Sequence, residues 1–414
     1  MEVEVTNREI IKPSSPTPDH LRRMEPSFYD EMQRRVLIPT LYFYPKDPII
    51  TDPERSKELK QSLSHILTKF YPLAGRVQED YTNCNDEGVP YFEAQANCQL
   101  SEVVGESCLS KLNKLLPFSD RKESHVLPFA VQLNFFKCGG IAIGLSTNHK
   151  NFDAASIFYF VNCWAACTRG DHAQVTNPNF DLPKLFPPAR LENYSTTPTP
   201  FDSSKFVARR FLFSASSLNV LKAEFPTKTS RVMALSSFIW RTIVQGAGPD
   251  RRFLAFLMMN LRTRAEPPLS DNYFGNLVGF AFVGTSDDAA LIDGPDFVSQ
   301  TKEAVQRNAE SFLQKFKNYD APVEVDDYST KPEDVNVKFS SFAHFPVYEA
   351  DFGWGRPGWV TMGGSCFINT ALYLPTKSGE GLEVLLYLDR EDMNRLENDR
   401  SFIEIASLDA TSNM

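Results

Sequence analysis

The period of hydrophobic and polar positions changes repeatedly along this chain, and each change marks a segment. Residues 36–44 (VLIPTLYFY) are β-branched and aromatic, end at Pro45, and predict a strand. Asp52-Pro53 then supplies an N-cap and a proline at the first helical position. Leu59, Leu63, Ile66, Leu67 and Phe70 follow at helical spacing and predict an amphipathic helix. Residues 128–136 and 141–147 are apolar runs flanking Lys137-Cys138-Gly139-Gly140, which predicts a hairpin whose second strand delivers Asn148 and His149 at its end. Residues 154–168 (AASIFYFVNCWAACT) are apolar all round and predict a helix buried against that sheet.

The pattern breaks over residues 171–206, where Pro178, Pro183, Pro187, Pro188, Pro198 and Pro200 stand among Ser, Thr and Asn. Proline at that density excludes helix interiors and central strands, so this is a crossover. Alternation resumes beyond it. Residues 207–213, 253–259 and 277–283 predict strands, residues 217–224, 230–245 and 297–316 helices, and residues 366–374 and 382–388 a hairpin across Lys377-Ser378-Gly379-Glu380-Gly381. Strands alternating with helices give an α/β (α+β) protein of mixed layers. Residues 1–170 form one domain, residues 171–206 a linker, and residues 207–414 a second domain.

Composition narrows the function only by exclusion. The 414 residues are 42% hydrophobic, enough for more than one core, and carry 43 Lys+Arg against 52 Asp+Glu for a net charge of -9. That balance disfavours a nucleic-acid or anionic-membrane binder. No apolar run approaches the ~18 residues of a membrane span. The N-terminal segment lacks a basic-then-apolar signal layout, and the closing TSNM is neither a peroxisomal nor a prenylation tail. Seven scattered cysteines, an odd number among apolar neighbours, suit a reduced cytoplasmic protein without a disulfide framework.

Of six histidines, His20, His125 and His172 fall in polar loops and His65 on a helix pattern. His149 differs: it lies where an apolar strand ends and a buried helix begins, the place where ligand crevices open in α/β sheets. Asp153 follows four residues on. HxxxD alone is weak, since six histidines at ordinary aspartate usage give roughly a one-in-three chance of one such spacing. On the spacing alone, a strand-end histidine beside an N-capping Asp153 is the better explanation. No further His/Cys/Asp cluster supports a metal, and no G-x-S-x-G supports a serine hydrolase. Asp351-Phe352-Gly353-Trp354-Gly355-Arg356-Pro357 specifies a tight, shaped loop.

Together, HxxxD before a buried helix and DFGWG about 200 residues later resemble the BAHD family of plant acyl-CoA-dependent acyltransferases. Tyr71-Pro72-Leu73-Ala74-Gly75-Arg76, Ser236-Ser237-Phe238-Ile239-Trp240-Arg241, Asn260-Leu261-Arg262-Thr263-Arg264 and Phe274-Gly275-Asn276 are similar to further stretches of that family, so the likeness spans nearly the whole chain. It is greatest to the branch of alkaloid acetyltransferases.

The resemblance implies two chloramphenicol-acetyltransferase-like domains with mixed sheets and an active-site channel between them. It implies acyl-CoA (acetyl-CoA or a short branched acyl-CoA) as co-substrate, a small hydroxylated acceptor, no permanently bound cofactor, no metal, and a monomeric cytoplasmic enzyme. His149 and Asp351 are the candidate catalytic residues, with His149 the general base. Direct chemistry by Asp351 is the less favoured role, since Asp351, Gly353 and Trp354 shape the channel and CoA region from a distance. Spacing alone would make Asp153 the group that orients His149. The family pattern instead pairs it with an arginine, Arg262 or alternatively Arg264. Two departures bear on acceptor choice. Ser341-Phe342-Ala343-His344 stands where S-W-x-R is usual, and Phe152 follows His149 where a smaller residue is commoner, so Phe152, Phe342 and His344 are candidate acceptor or channel residues. Transfer to an amine, or a non-catalytic binding role for the fold, are the competing functions.

Overall fold

The computed structural model describes residues 1–118, 126–189, 205–226, 228–245, 253–284, 294–315, 335–364 and 367–406. His125, Pro198, Pro200, Cys366 and Phe316 lie outside the described residues, as do residues 190–204 of the expected crossover.

The first half of the chain builds β1 (Val3–Ile11), β2 (Arg23–Met24), α1 (Phe28–Glu31), β3 (Leu37–Tyr44), α2 (Asp52–Leu67), β4 (Arg76–Val77), β5 (Thr82–Asn83), β6 (Val89–Ala96), β7 (Phe129–Phe136), β8 (Ile141–Asn148), α3 (Ala154–Thr168) and α4 (Leu182–Leu185). The second half builds β9 (Phe206–Phe213), α5 (Ala215–Ala223), α6 (Arg231–Gln245), β10 (Phe253–Asn260), β11 (Val278–Gly284), α7 (Gly294–Lys315), β12 (Val335–Ser341), β13 (Trp359–Met362), β14 (Thr370–Pro375), β15 (Leu382–Asp389), α8 (Arg390–Asn398) and α9 (Arg400–Ile405). Helix α5 begins two residues before its predicted start because Ser214 caps it, its hydroxyl accepting from Ser217 N.

Two six-stranded mixed sheets organise the fold, in the orders β1-β6-β7-β8-β3-β13 and β11-β10-β12-β14-β15-β9, with a small β2-β5-β4 sheet beside them. In the first, β6 and β7 are parallel and the other pairs antiparallel. In the second, β12 runs parallel to both β10 and β14. Strands β7 and β8 are buried at every position, which is why they read as continuous apolar runs. Helices α2 and α3 cover this sheet through Leu59, Leu63, Ile66, Phe160, Val161 and Trp164, and Trp164 Nε1 donates to Ser62 Oγ at 3.0 Å.

The cores exchange segments. Phe28 and Tyr29 of α1 pack in the second core, with Tyr29 Oη donating to Phe312 O at 3.0 Å. In return, residues 342–362 leave the second sheet and enter the first core through Phe342, Val347, Phe352, Trp354 and Trp359. Strand β13 there pairs antiparallel with β3, Trp359 opposite Phe43, with their rings stacked at 4.9 Å. Each fully buried aromatic ring of this exchange is worth about 1.5–3 kcal/mol, so the halves are interlocked as well as adjacent.

The two sheets meet unevenly. At β14, β15 and β9 the facing side chains Leu372, Leu374, Leu385, Tyr387 and Ala208 belong to the first core. On the same face of β10, β11 and β12, Phe256, Met258, Phe280 and Lys338 are half-buried or exposed. The contact is therefore closed at β14, β15 and β9 and less covered at β10, β11 and β12.

Candidate active site

His149 sits where the two halves meet. Strand β8 ends at Asn148, and the turn of His149 and Lys150 leads to α3, which Asp153 caps through Ser156 N at 3.0 Å. The backbone of His149 is held from both halves. Its N–H donates to Val36 O at 2.9 Å, and its carbonyl accepts from Asn276 Nδ2 at 2.9 Å. The ring is partly exposed, and Nδ1 is buried without a protein hydrogen-bond partner.

Asp153 is committed elsewhere. Its Oδ2 accepts from Arg262 Nη1 at 2.7 Å and Leu277 N at 3.0 Å, and its Oδ1 from Arg262 Nη2 at 3.2 Å and Ser156 N at 3.0 Å. Arg262 is fully buried and Asp153 is 2% exposed. Burial alone would push the Asp153 carboxyl up, but Arg262 and the two backbone amides outweigh it and hold the carboxyl below its usual range. Arg262 also donates to the carbonyls of Tyr273 and Gly275 at 2.9 Å, so few of its donors go unmet. Arg264, the alternative, donates to Asn260 O at 3.2 Å and does not reach Asp153. The spacing-based idea that Asp153 orients the imidazole is corrected here, because both carboxylate oxygens face Arg262 and backbone amides.

Sequence reasoning missed the group behind His149. Asp30 closes a capping box on α1: its Oδ2 accepts from Ser27 N at 2.8 Å and Ser27 Oγ at 2.7 Å. Its Oδ1 accepts from Asn276 N at 2.9 Å and Asn276 Nδ2 at 2.8 Å. Asn276 thus bridges Asp30 to the His149 carbonyl. Burial pushes the Asp30 carboxyl up, and the hydrogen bonds from Ser27 and Asn276 oppose that without cancelling it. Ser27-x-x-Asp30 was the available signal, but it announces only a helix start.

The DFGWG loop lies at the other end of α3. Asp351 Oδ1 accepts from Gly353 N at 2.8 Å and Gly355 N at 3.0 Å, and these glycines take φ of 111° and 92°, where a Cβ is disfavoured. Phe352 and Trp354 stack at 5.6 Å, with Tyr44 edge-on to both. Arg169, the C-cap of α3, donates to the Asp351 carbonyl. His149 precedes the N-terminus of this 15-residue helix, so its full length, about 22 Å, separates the two. Proton transfer needs hydrogen-bond reach, so a direct catalytic role for Asp351 does not fit this placement. A groove of about 490 Å³ runs between Asp351, Arg169, Tyr159 and Phe345, and His149 does not line it.

The three candidate acceptor residues are placed differently from one another. Phe152 is 1% exposed and packs on Phe274 with ring centres 4.8 Å apart, so it faces the core beneath the histidine turn. Phe342 is 8% exposed and wedged against Phe158 and Phe345. His344 is exposed. The six described cysteines are free, and among the described residues no group of three His, Cys, Asp or Glu could hold a metal ion. None of the described helices is long and apolar enough to cross a membrane.

Two mixed sheets with a histidine at the strand-to-helix junction between them define a two-domain α/β scaffold of the acyltransferase type. The sequence matches the family described as "Transferase family" over residues 1–403, and the chain belongs to it, the BAHD acyl-CoA-dependent acyltransferases. Stemmadenine O-acetyltransferase of Catharanthus roseus is 31% identical, covering 96% of this chain and 97% of that protein. A limonoid 7-O-acetyltransferase of Citrus sinensis is also 31% identical, covering 99% of each chain. The crystal structure of vinorine synthase superposes with a TM-score of 0.85 at 30% identity, covering 99% of both chains. The TRI101 protein of F. sporotrichioides, complexed with coenzyme A and T-2, shares the fold at a TM-score of 0.68 and 17% identity, over 93% of this chain and 99% of that one. This chain is an acyl-CoA-dependent O-acyltransferase.

Proposed function

We propose that the protein moves a short acyl group, acetyl or small branched, from acyl-CoA to a hydroxyl of a multi-ring plant specialised metabolite: an alkaloid, a terpenoid, or a phenolic or naphthoquinone alcohol. The observation that carries this reading is the division of labour around His149. Asp153 is saturated by Arg262 and backbone amides, Asp351 is a helix length away, and the imidazole alone remains available where the two halves meet.

One imidazole suffices for the chemistry. Neutral His149 takes the proton of the acceptor hydroxyl as its oxygen attacks the thioester carbonyl. The tetrahedral intermediate expels CoA thiolate, whose conjugate thiol (pKa about 8.5) is far more acidic than an alcohol, so no strong second acid is needed. The imidazolium returns its proton to sulfur. Both substrates are bound together, and no acyl-enzyme forms. The acyl carrier is a co-substrate, and no resident cofactor takes part. The Asp153–Arg262 pair fixes the histidine turn against the second sheet, while Asp351, Gly353 and Trp354 shape the loop at the far end of α3. The protein acts as a monomer in the cytoplasm, with residues 1–170 and 207–414 as its two domains and residues 171–206 as the linker.

The test is CoA release from acetyl-CoA with paired multi-ring alcohols and the corresponding amines. Acetylation of alcohols, lost in His149→Ala while the fold is retained, is the expected result. Acetylation of amines alone, or no CoA release with any acceptor, overturns the reading.

A further inference from the structure

Among the described residues, the face of the second sheet turned to the first half carries one lysine beside the aromatic side chains of β10 and β11. In register across β11, β10, β12 and β14, Phe282, Phe256, Lys338 and Thr370 form one row. Phe280 and Met258 form the next row toward His149. At its inner end the wall reaches Asn260 paired with Val278, next to Leu277, whose N–H donates to Asp153. Four residues of strand separate Asn260 from Phe256, so Lys338 stands about 13 Å along the wall from that inner end.

Lys338 lies on the face of β12 turned away from the second core. Its neighbours Val337 and Phe339 point into the second core, while Lys338 itself is exposed to solvent on the opposite face. Yet lost hydration, with a smaller contribution from Arg34, holds its ammonium below the usual lysine range. No carboxylate among the described residues is paired with it. An ammonium beside Phe256, with no carboxylate paired to it among the described residues, is poised to meet one on a ligand.

We infer that Lys338 is an acceptor-recognition residue, donating to an acidic oxygen, a carboxylate or an ionised phenol, on a flat multi-ring alcohol whose rings lie against Phe256 and Phe282. This rests on the acyl-transfer reading above and adds a selectivity to it. The wall suits an acceptor better than the coenzyme's phosphates. Several phosphate charges call for several cations at a hydrated mouth, whereas this row offers one ammonium flanked by Phe256 and Thr370, with Phe282 beyond, and Arg34 is the one other cation acting on it among the described residues.

The experiment compares (hydroxymethyl)naphthoic acid with its methyl ester, which differ only in the acidic oxygen, using acetyl-CoA as donor. Wild-type protein should favour the acid. In Lys338→Met the acid-over-ester ratio of kcat/KM should fall about 10–100-fold, the range for losing one charge-assisted hydrogen bond. Lys338→Arg should restore much of it, with thermal midpoints confirming that both variants fold. A ratio that does not move, or a rise in KM for acetyl-CoA instead, overturns the inference. Wild-type protein that acetylates the ester in preference to the acid overturns it while leaving acyl transfer intact; wild-type protein that acetylates neither probe overturns this inference, and the paired alcohols above decide the wider reading.

Discussion

Asp153 and Arg262 form a two-pronged buried ion pair between the N-terminus of α3 in the first half and the segment after β10 in the second. Every oxygen lone-pair direction that matters on Asp153 is taken by Arg262, Ser156 N or Leu277 N. The conspicuous acidic residue of HxxxD is therefore a fastening between halves, and His149 is left to act without a carboxylate partner. Breaking such a pair by removing one member leaves a buried unpaired charge and costs about 3–5 kcal/mol. Asp153→Ala should lose activity and stability together, with a lowered midpoint in urea or heat, so its inactivity says nothing about chemistry.

The same pair sets an acid limit. The folded-state pKa of Asp153 is lowered, so its contribution is fully present above the unfolded value near 3.9 and is lost as pH falls through the folded value. The stability difference between wild type and Asp153→Asn should hold constant from pH 7 to about 5 and shrink below about 4. Urea midpoints measured across that range check it; a difference that grows on acidification would contradict the assigned sign.

His149→Ala should behave in the opposite way. The imidazole is partly exposed and its backbone bonds survive truncation. Unfolding should therefore be nearly unchanged while turnover falls by ~10²–10⁴. Steady-state kinetics beside a denaturation curve separates this from Asp153→Ala.

Much of this was legible in the sequence, and the gaps have physical causes. His149 and Asp153 stand out because a strand period gives way to an all-apolar helix between them. Arg262 became nameable only through the NLRTR stretch, since nothing local announces a partner 109 residues away. Asp30 was invisible as a site residue: its bond to Asn276 spans 246 positions, and its local pattern already had a sufficient explanation as a capping box. Strand β13 is four residues long and lies within the half that otherwise builds the second sheet, so neither length nor order points to its pairing with β3. Strand β1 is almost wholly exposed, and its alternation of charge with valine stops after Val5, so this edge strand presents no apolar face long enough to read.

Asp351 offers a test of loop geometry against chemistry. A single oxygen, Oδ1, takes both glycine amides. Asn keeps that acceptor, so Asp351→Asn should retain most of the turnover, whereas Asp351→Ala should lose about 1–3 kcal/mol of stability through the unmet amides. Loss of turnover in Asp351→Asn with an unaltered midpoint would restore a catalytic role to this carboxylate.

Asn276 is the residue through which the exchange of segments between cores reaches the active site. Its Nδ2 donates both to the His149 carbonyl and to Asp30 Oδ1, and Asp30 is carried on the short helix whose Phe28 and Tyr29 pack in the second core. Removing the amide in Asn276→Ala frees the histidine turn on one side and leaves Asp30 Oδ1 with one donor instead of two. The imidazole must sit within hydrogen-bond reach of the acceptor hydroxyl, and small displacements there cost rate steeply. Asn276→Ala should lower kcat by about 10–100-fold with KM for acetyl-CoA little changed, since the coenzyme's affinity does not depend on the aim of the base. A structural role alone would lower the thermal midpoint and the active fraction but leave the kcat of the folded enzyme intact. The deciding measurement is kcat per active site well below the midpoint: if it equals the wild-type value, Asn276 holds the fold and not the base.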